Sequence, residues 1–143
     1  MKFIKLFTLL SSVIFLAISC KSSDKKTTEV MNNLHRKWML VEYRDFTKAE
    51  LIKLGANIDL TQKENGGAKM GCNGMFFGYK MKNQNQIDFS QVRATMMYCE
   101  GKMKLEESFV EDLPKMNRYK IEGHFLTLSD GRMTMKFVAE DWD

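Results

Sequence analysis

The stretch Ala68–Tyr79, AKMGCNGMFFGY, contains one cysteine, three glycines and three aromatic residues within twelve positions. Two interpretations are open: an active-site loop built around Cys72, or a turn that needs glycine and is fastened by a disulfide. Glycine adopts positive φ angles without steric cost, and asparagine tolerates left-handed geometry and can hydrogen-bond to its own backbone. We interpret Gly71, Asn73 and Gly74 as a structural turn that leads into a strand.

The chain contains three cysteines, Cys20, Cys72 and Cys99. With Cys20 assigned to a membrane anchor, as argued below, the two remaining thiols of an exported domain most simply form a disulfide. The alternative is a hydrolase or thiol-redox enzyme that uses Cys72 or Cys99. Against it, the chain lacks a C-x-x-C motif and has only two histidines, His35 and His124, as candidate bases. We assign no catalytic residue and expect no metal site, because zinc needs more ligands at closer spacing.

The first 19 residues predict an export signal. Lys2 and Lys5 precede an apolar run that is shorter than the roughly 20 residues of a membrane-spanning helix. This run ends in Ala17-Ile18-Ser19-Cys20, which resembles the lipobox of bacterial lipoproteins. We therefore expect a signal peptide over residues 1–19, lipidation of Cys20, and attachment to a membrane of the cell envelope, the outer membrane.

Residues 20–33 predict a flexible tether, and residues 34–143 a single domain. The tether is polar and charged, so it cannot bury enough apolar surface to order itself. Removal of the signal takes away two lysines, which lowers the formal net charge from +4 to +2 (4 minus 2). This near balance, together with the lack of any nucleic-acid-binding motif, argues against nucleic acid as a partner.

Alternating apolar residues and turn signals predict an antiparallel sheet. The fold class is α+β, with the sheet curled into a partly closed barrel or two packed sheets. The predicted strands and turns are a strand over Arg36–Tyr43, two strands joined at Asn65-Gly66-Gly67, a hairpin with its tip at Asn83–Asn85, a strand over Val92–Cys99, and three closing strands separated at Gly123 and Asp130-Gly131.

Two helices interrupt this pattern. A short one is predicted between Thr47, which can cap it together with Glu50, and Gly55, which can end it. An amphipathic helix is predicted over Glu100–Leu113, with its apolar residues within one arc. Glu107 and Glu111 lie on the opposite side, and we interpret them as solvated surface charge and not as an acid–base pair.

Six segments of the chain, in this order, resemble the META domain, the family that includes the heat-shock protein HslJ. They are KWMLVEY, GCNGMFFGY, ATMMYC, Phe109 with Leu113, YKIEGHFLTL and DGRMTMKF, and the most specific pieces are Gly71-Cys72-Asn73 and Thr95-x-Met97-x-Cys99. The resemblance implies a compact antiparallel α+β domain in bacterial envelope proteins associated with stress and antibiotic tolerance. It implies no established catalytic mechanism and brings no set of catalytic residues.

Aromatic residues after the turn give a candidate binding surface. Strand alternation sends Phe77 and Tyr79 to one face and Phe76 to the other. We consider these three residues and Tyr98 a possible patch for a small apolar ligand or an envelope protein, with burial in the core as the alternative.

Methionine is unusually frequent, with twelve residues in the chain. Converging thioethers would bind Cu(I), but we favour methionine as a filler of irregular core gaps, and we expect no cofactor. The sequence therefore predicts a non-catalytic, lipid-anchored envelope module that binds another envelope component.

Overall fold

The computed structural model describes residues 33–83 and 85–142. The predicted signal peptide, Cys20 and the tether up to residue 32 lie outside the described residues. Within the described ranges, no helix has the length and apolar character needed to cross a membrane.

Antiparallel strands build the molecule. Eight of them close into a barrel, in the circular order β1-β2-β3-β4-β5-β7-β8-β9, and β6 pairs with β4 outside it. The strands are β1 (Lys37–Tyr43), β2 (Asn57–Asp59), β3 (Asn65–Lys69), β4 (Gly74–Asn83), β5 (Gln86–Phe89), β6 (Arg93–Ala94), β7 (Arg118–Glu122), β8 (Phe125–Ser129) and β9 (Thr134–Ala139). The predicted α+β class and curled antiparallel sheet are confirmed.

The barrel interior is filled by residues that alternate along the strands. Trp38 and Leu40 of β1, Ile58 of β2 and Phe137 of β9 belong to one buried cluster. Full burial of a side chain of this kind contributes about 1.5–3 kcal/mol relative to exposure. The alternation in the sequence therefore reports the interior face correctly.

The short helix α1 spans Lys48–Leu54 and forms as predicted. Thr47 accepts a hydrogen bond from the Glu50 backbone while the Glu50 carboxylate accepts from the Thr47 backbone, which completes a capping box. Gly55 ends the helix at φ 61°, in the left-handed region. Leu51 is buried and fixes α1 to the barrel.

The amphipathic helix α2 spans Met103–Asp112 and passes into a 3-10 turn over Leu113–Lys115. Leu105, Phe109 and Leu113 are buried in the core cluster, whereas Glu107 and Glu111 are exposed, as predicted. The helix contacts the last residue of β1 through Asp112 and the residues just before β4 through Glu106. It therefore packs across the barrel end at which β1 finishes and β4 begins.

Two of the predicted strand boundaries are wrong. Asn65-Gly66-Gly67 is not a turn but the start of β3, and the connection between β2 and β3 runs through residues 60–64, where Glu64 takes φ 66°. The strand predicted over Val92–Cys99 is reduced to Arg93–Ala94. The Thr95 backbone N–H still donates to the Gly74 carbonyl. Beyond it the Met97 backbone is paired with the Asn73 side chain and not with a strand.

Candidate functional site

Cys72 and Cys99 are joined by a disulfide, with their Cα atoms 6.1 Å apart. The bond links two positions separated by 27 residues in sequence. It fastens the turn before β4 to the segment that follows β6. The predicted pairing is therefore present, and both thiols are in a covalent bond.

The turn geometry matches the prediction in part. Gly71 takes φ 126°, which favours glycine. A Cβ atom added at this position would lie 3.1 Å from a methyl group of Leu54. Gly74, predicted to need a positive φ, has an ordinary backbone angle and begins β4. The requirement for glycine in this turn therefore falls on Gly71.

The Asn73 side chain hydrogen-bonds to the backbone of the segment after β6, as a neighbouring strand would. Its Oδ1 accepts a hydrogen bond from the Met97 backbone N–H at 2.8 Å, and its Nδ2 donates to the Met97 carbonyl at 2.9 Å. Oδ1 also accepts from the Thr95 hydroxyl at 2.8 Å. The expected bond from Asn73 to its own backbone is therefore wrong, because the carboxamide pairs with a segment more than twenty residues away.

Glu106 of α2 is a buried carboxylate that accepts hydrogen bonds from this turn. Its Oε1 accepts from the backbone N–H groups of Cys72 and Asn73, each at 2.6 Å, and its Oε2 accepts from Asn73 Nδ2 at 2.7 Å. A buried charge needs such partners, and charge-assisted bonds of this kind are the strong ones. Glu106 is not among the residues predicted from the sequence, although it falls in the middle of the apolar arc of α2, where an acidic residue is a signal of a specific partner.

We call Asn73 and Glu106 together the clamp. The segment that the clamp holds exposes three apolar side chains to solvent. Met96, Met97 and Tyr98 have exposed fractions of 99%, 57% and 81%. Between this segment and α2 lies a groove of about 330 Å³, which we call the methionine groove. Its apolar lining consists of Met75, Ala94, Met96, Met97, Tyr98, Met103 and Val110, with Glu107 at the rim.

The predicted aromatic patch is divided between core and surface. Phe77 and Tyr79 point into the barrel, where Phe77 packs edge-on against Phe89 with ring centroids 5.7 Å apart. Phe76, with 62% of its surface exposed, and Tyr98 lie outside. The alternation of faces was predicted correctly, but Phe77 and Tyr79 are wrong as binding residues because they face the interior.

Tyr79 also takes part in a small polar cluster with His35 and the connection between β2 and β3. Its hydroxyl donates to the Leu60 carbonyl at 3.0 Å and lies 3.0 Å from His35 Nδ1. Burial raises the pKa of Tyr79 to about 12. The phenol therefore stays protonated as a hydrogen-bond donor, and His35 is held by structural contacts.

A second buried carboxylate, Asp112, connects α2 to the end of β1. It accepts from the Tyr43 hydroxyl at 2.6 Å, from Arg44 Nη2 at 2.6 Å and from Lys115 Nζ at 3.1 Å. Burial raises the pKa of Asp112, but the hydrogen bonds from Tyr43, Lys115 and Arg44 outweigh it and hold the pKa below its ordinary value. The arrangement is a saturated ion cluster that fastens α2.

His124, the second candidate base, lies against an aromatic ring. His124 stacks on Trp142 with ring centroids 3.3 Å apart. The described part of the chain contains no group of three or more histidine, cysteine, aspartate or glutamate side chains arranged to hold a metal ion. Of its methionines, Met70, Met75, Met116 and Met135 are buried, which agrees with methionine as a core filler.

Comparisons with known proteins support the fold. A sequence profile of the META domain matches residues 31–142. An NMR structure of a protein from Burkholderia xenovorans superposes with a TM-score of 0.65 at 16% identity, covering 87% of this chain and 93% of that one.

A second protein solved by NMR superposes with a TM-score of 0.62 at 18% identity, covering 78% of this chain and 95% of that one. At such identities the likeness concerns the fold alone. None of the curated protein sequences compared with the chain matches it.

Proposed function

Because the chain belongs to the META domain family, we propose that it is a non-catalytic module of the cell envelope that acts in stress or antibiotic tolerance by binding another envelope component. In this proposal an acylated Cys20 anchors the module to a membrane, and the methionine groove receives an apolar segment of the partner. The observation that carries the proposal is the exposure of three adjacent apolar residues, Met96, Met97 and Tyr98, beside an apolar groove.

The chemistry of the groove suits binding. Clustered exposed apolar side chains commonly mark interaction sites, and methionine adapts its shape to different apolar surfaces. The backbone of this segment is held at Met97 by Asn73 and at Cys99 by the disulfide. A wall that is fixed before binding loses little conformational entropy when the partner arrives, and this favours affinity.

The rival enzyme function would need a free thiol at Cys72 or Cys99. Cys72 and Cys99 are bonded to each other, and the Glu106 carboxylate is occupied by three hydrogen-bond donors from Cys72 and Asn73. Thiol labelling of the native exported protein tests this point. We expect full protection until a reductant is added, whereas a freely reactive Cys72 or Cys99 would favour the enzyme.

The binding proposal is tested by site-specific photocrosslinking in intact cells. A photoreactive amino acid at Tyr98 is expected to give a defined adduct, and the same residue at Lys120, exposed on β7, serves as the matched control. Met97→Asp should abolish the Tyr98 adduct because it places a charge in the groove. Cys20→Ala removes the acylation site. It should abolish the Tyr98 adduct if the lipid anchor determines where the protein meets its partner. Equal labelling from Tyr98 and Lys120, or none from Tyr98, would contradict the proposal.

One observation favours a second candidate, which is Cu(I) binding. Four methionines, Met75, Met96, Met97 and Met103, line the same groove, and thioethers are soft ligands that select Cu(I). Anaerobic titration with Cu(I) in the presence of a chromophoric chelator tests it. Failure of the protein to compete with the chelator would end this candidate.

A further inference from the structure

The two exposed methionines of the described chain are neighbours in sequence. Ten methionines lie in the described residues, and eight of them are buried or partly buried. The exceptions are Met96 and Met97, with exposed fractions of 99% and 57%, and both line the methionine groove. Oxidants in solution therefore reach these two thioethers more readily than those in the core.

Thioethers react with two-electron oxidants such as hydrogen peroxide. The sulfur lone pair attacks one peroxide oxygen, the O–O bond breaks, and proton transfer releases the other oxygen as water. Sulfur loses two electrons and becomes a sulfoxide, while the peroxide is reduced. The product is polar and chiral, and methionine sulfoxide reductases restore the thioether.

We propose that Met96 and Met97 are an oxidation site at which peroxide switches off apolar binding by the methionine groove. The inference rests on the proposed function and adds its regulation. A sulfoxide at either position would place a polar S=O group in the lining of the groove, where an apolar ligand cannot hydrogen-bond to it. The switch needs the sulfur chemistry of these two positions and not merely their apolar character.

The fold around the site is expected to survive this change. Both backbone groups of Met97 are paired with the Asn73 carboxamide, and the side chains of Met96 and Met97 point to solvent. Cys99 is already in its disulfide and does not compete for peroxide. Oxidation therefore alters the surface of the groove while the clamp keeps its position.

The experiment uses the exported chain carrying Cys20→Ala, so that acyl groups do not take up the probe. The protein is treated with hydrogen peroxide, oxidation is located by peptide mass spectrometry, and binding of the neutral apolar dye Nile red is titrated. We expect Met96 and Met97 to gain oxygen well before Met70, Met116 and Met135. Nile red should then bind about tenfold more weakly, and treatment with methionine sulfoxide reductases should restore its affinity.

Matched leucine variants separate the switch from binding itself. The double variant Met96→Leu, Met97→Leu keeps the apolar surface, so it should bind Nile red as wild type does and lose its sensitivity to peroxide. Met133→Leu, at a partly buried position outside the groove, should stay sensitive. Circular dichroism of the oxidised protein should match that of the untreated protein.

Two results would overturn the switch while leaving the binding function intact. One is unchanged dye affinity after Met96 and Met97 are fully oxidised, and the other is a leucine double variant that remains as sensitive as wild type. Failure of the untreated protein to bind the dye, together with no Tyr98 crosslink in cells, would overturn the proposed function and the switch together.

Discussion

At the scale of single residues, one carboxamide determines how the segment after β6 is held. The Asn73 carboxamide carries both a donor, Nδ2, and an acceptor, Oδ1, so it satisfies both the N–H and the C=O of Met97. Aspartate has the same shape but no donor, and glutamine would place the amide one methylene too far away. This explains why the turn requires asparagine at a position where left-handed geometry plays no part.

Asn73→Asp tests this role directly. The substitution removes the donor to the Met97 carbonyl and turns an oxygen toward Glu106 Oε2, which accepts from Nδ2 at 2.7 Å in the native protein. Two buried carboxylates without an intervening proton repel, so we expect a loss of about 3 kcal/mol in the free energy of unfolding at neutral pH. Urea denaturation measures it, with the exposed Asn117→Asp as the matched control. A loss below that of the control would show that the clamp is unimportant.

Asp112 makes the stability of the protein depend on pH. Hydrogen bonds from Tyr43, Lys115 and Arg44 outweigh the opposing effect of burial, so the folded-state pKa lies below the ordinary value of about 3.9. A lowered folded pKa gives stability that is fully present above the unfolded pKa and is lost as the pH falls through the folded pKa.

Asp112→Asn should therefore destabilise the protein most at neutral pH and progressively less in acid. We expect a loss of about 2–3 kcal/mol at pH 7 because the charge-assisted bonds disappear. Urea titrations repeated from pH 7 to pH 3 measure the difference from wild type. Asp88→Asn, at a surface ion pair with Lys82, is the control for the change in charge. A difference that does not shrink in acid would contradict this assignment.

At the scale of elements, local patterns predicted most strands and both helices, and the errors have identifiable causes. Two adjacent glycines at Gly66-Gly67 were interpreted as a turn, but Gly66 sits directly across from Phe77 in the β3–β4 pair. A Cβ atom at Gly66 would lie 2.2 Å from the Phe77 ring. Glycine is there because an aromatic ring lies over the strand, and that contact is invisible in the local sequence.

The candidate site was predictable only in part for a similar reason. The cysteine count predicted the Cys72–Cys99 bond, and alternation predicted that Phe76 faces outward. The pairing of Asn73 with Met97 and of Glu106 with Cys72 joins segments that are 24 and 34 residues apart. Local periodicity contains no information about such partners, although an acidic residue inside the apolar arc of α2 indicated that one exists.

The disulfide stabilises the link between the turn and the groove wall. Its loop corresponds to a sequence separation of 27 residues, and the chain-entropy estimate for a loop of this length is about 3–4 kcal/mol. We expect the double variant Cys72→Ser, Cys99→Ser to lose about this free energy of unfolding in urea.

Reduced wild-type protein should lose a similar amount, which controls for the serine substitutions. The clamp of Asn73 and Glu106 does not depend on the bond, so a folded variant is expected at neutral pH. Unchanged stability in both forms would mean that the clamp alone constrains the two segments.

At the scale of the whole molecule, barrel closure joins the two ends of the domain. β1 pairs with β9, and the β3–β4 pair completes the circle. Closure leaves no long unpaired edge among the described barrel strands, which protects a β-rich protein from edge-to-edge association. It also means that the first and last strands must meet before the core is complete, so the domain is expected to fold as one cooperative unit.

A chain without the predicted signal peptide and tether should keep the stability of the domain, whereas a chain without β9 should not. Among the residues that the structure describes, every member of the core cluster lies between Leu34 and Ala139. We expect a chain that begins at Asn33 to have the same urea midpoint and the same denaturant dependence as a chain that begins at Cys20, because both should unfold the same surface. Removal of residues 134–143 should abolish cooperative unfolding, since β9 pairs with both β1 and β8 and supplies Met135 and Phe137 to the core. A clear loss of stability in the chain that begins at Asn33 would show that the preceding segment contributes to the fold, and the tether assignment would then be wrong.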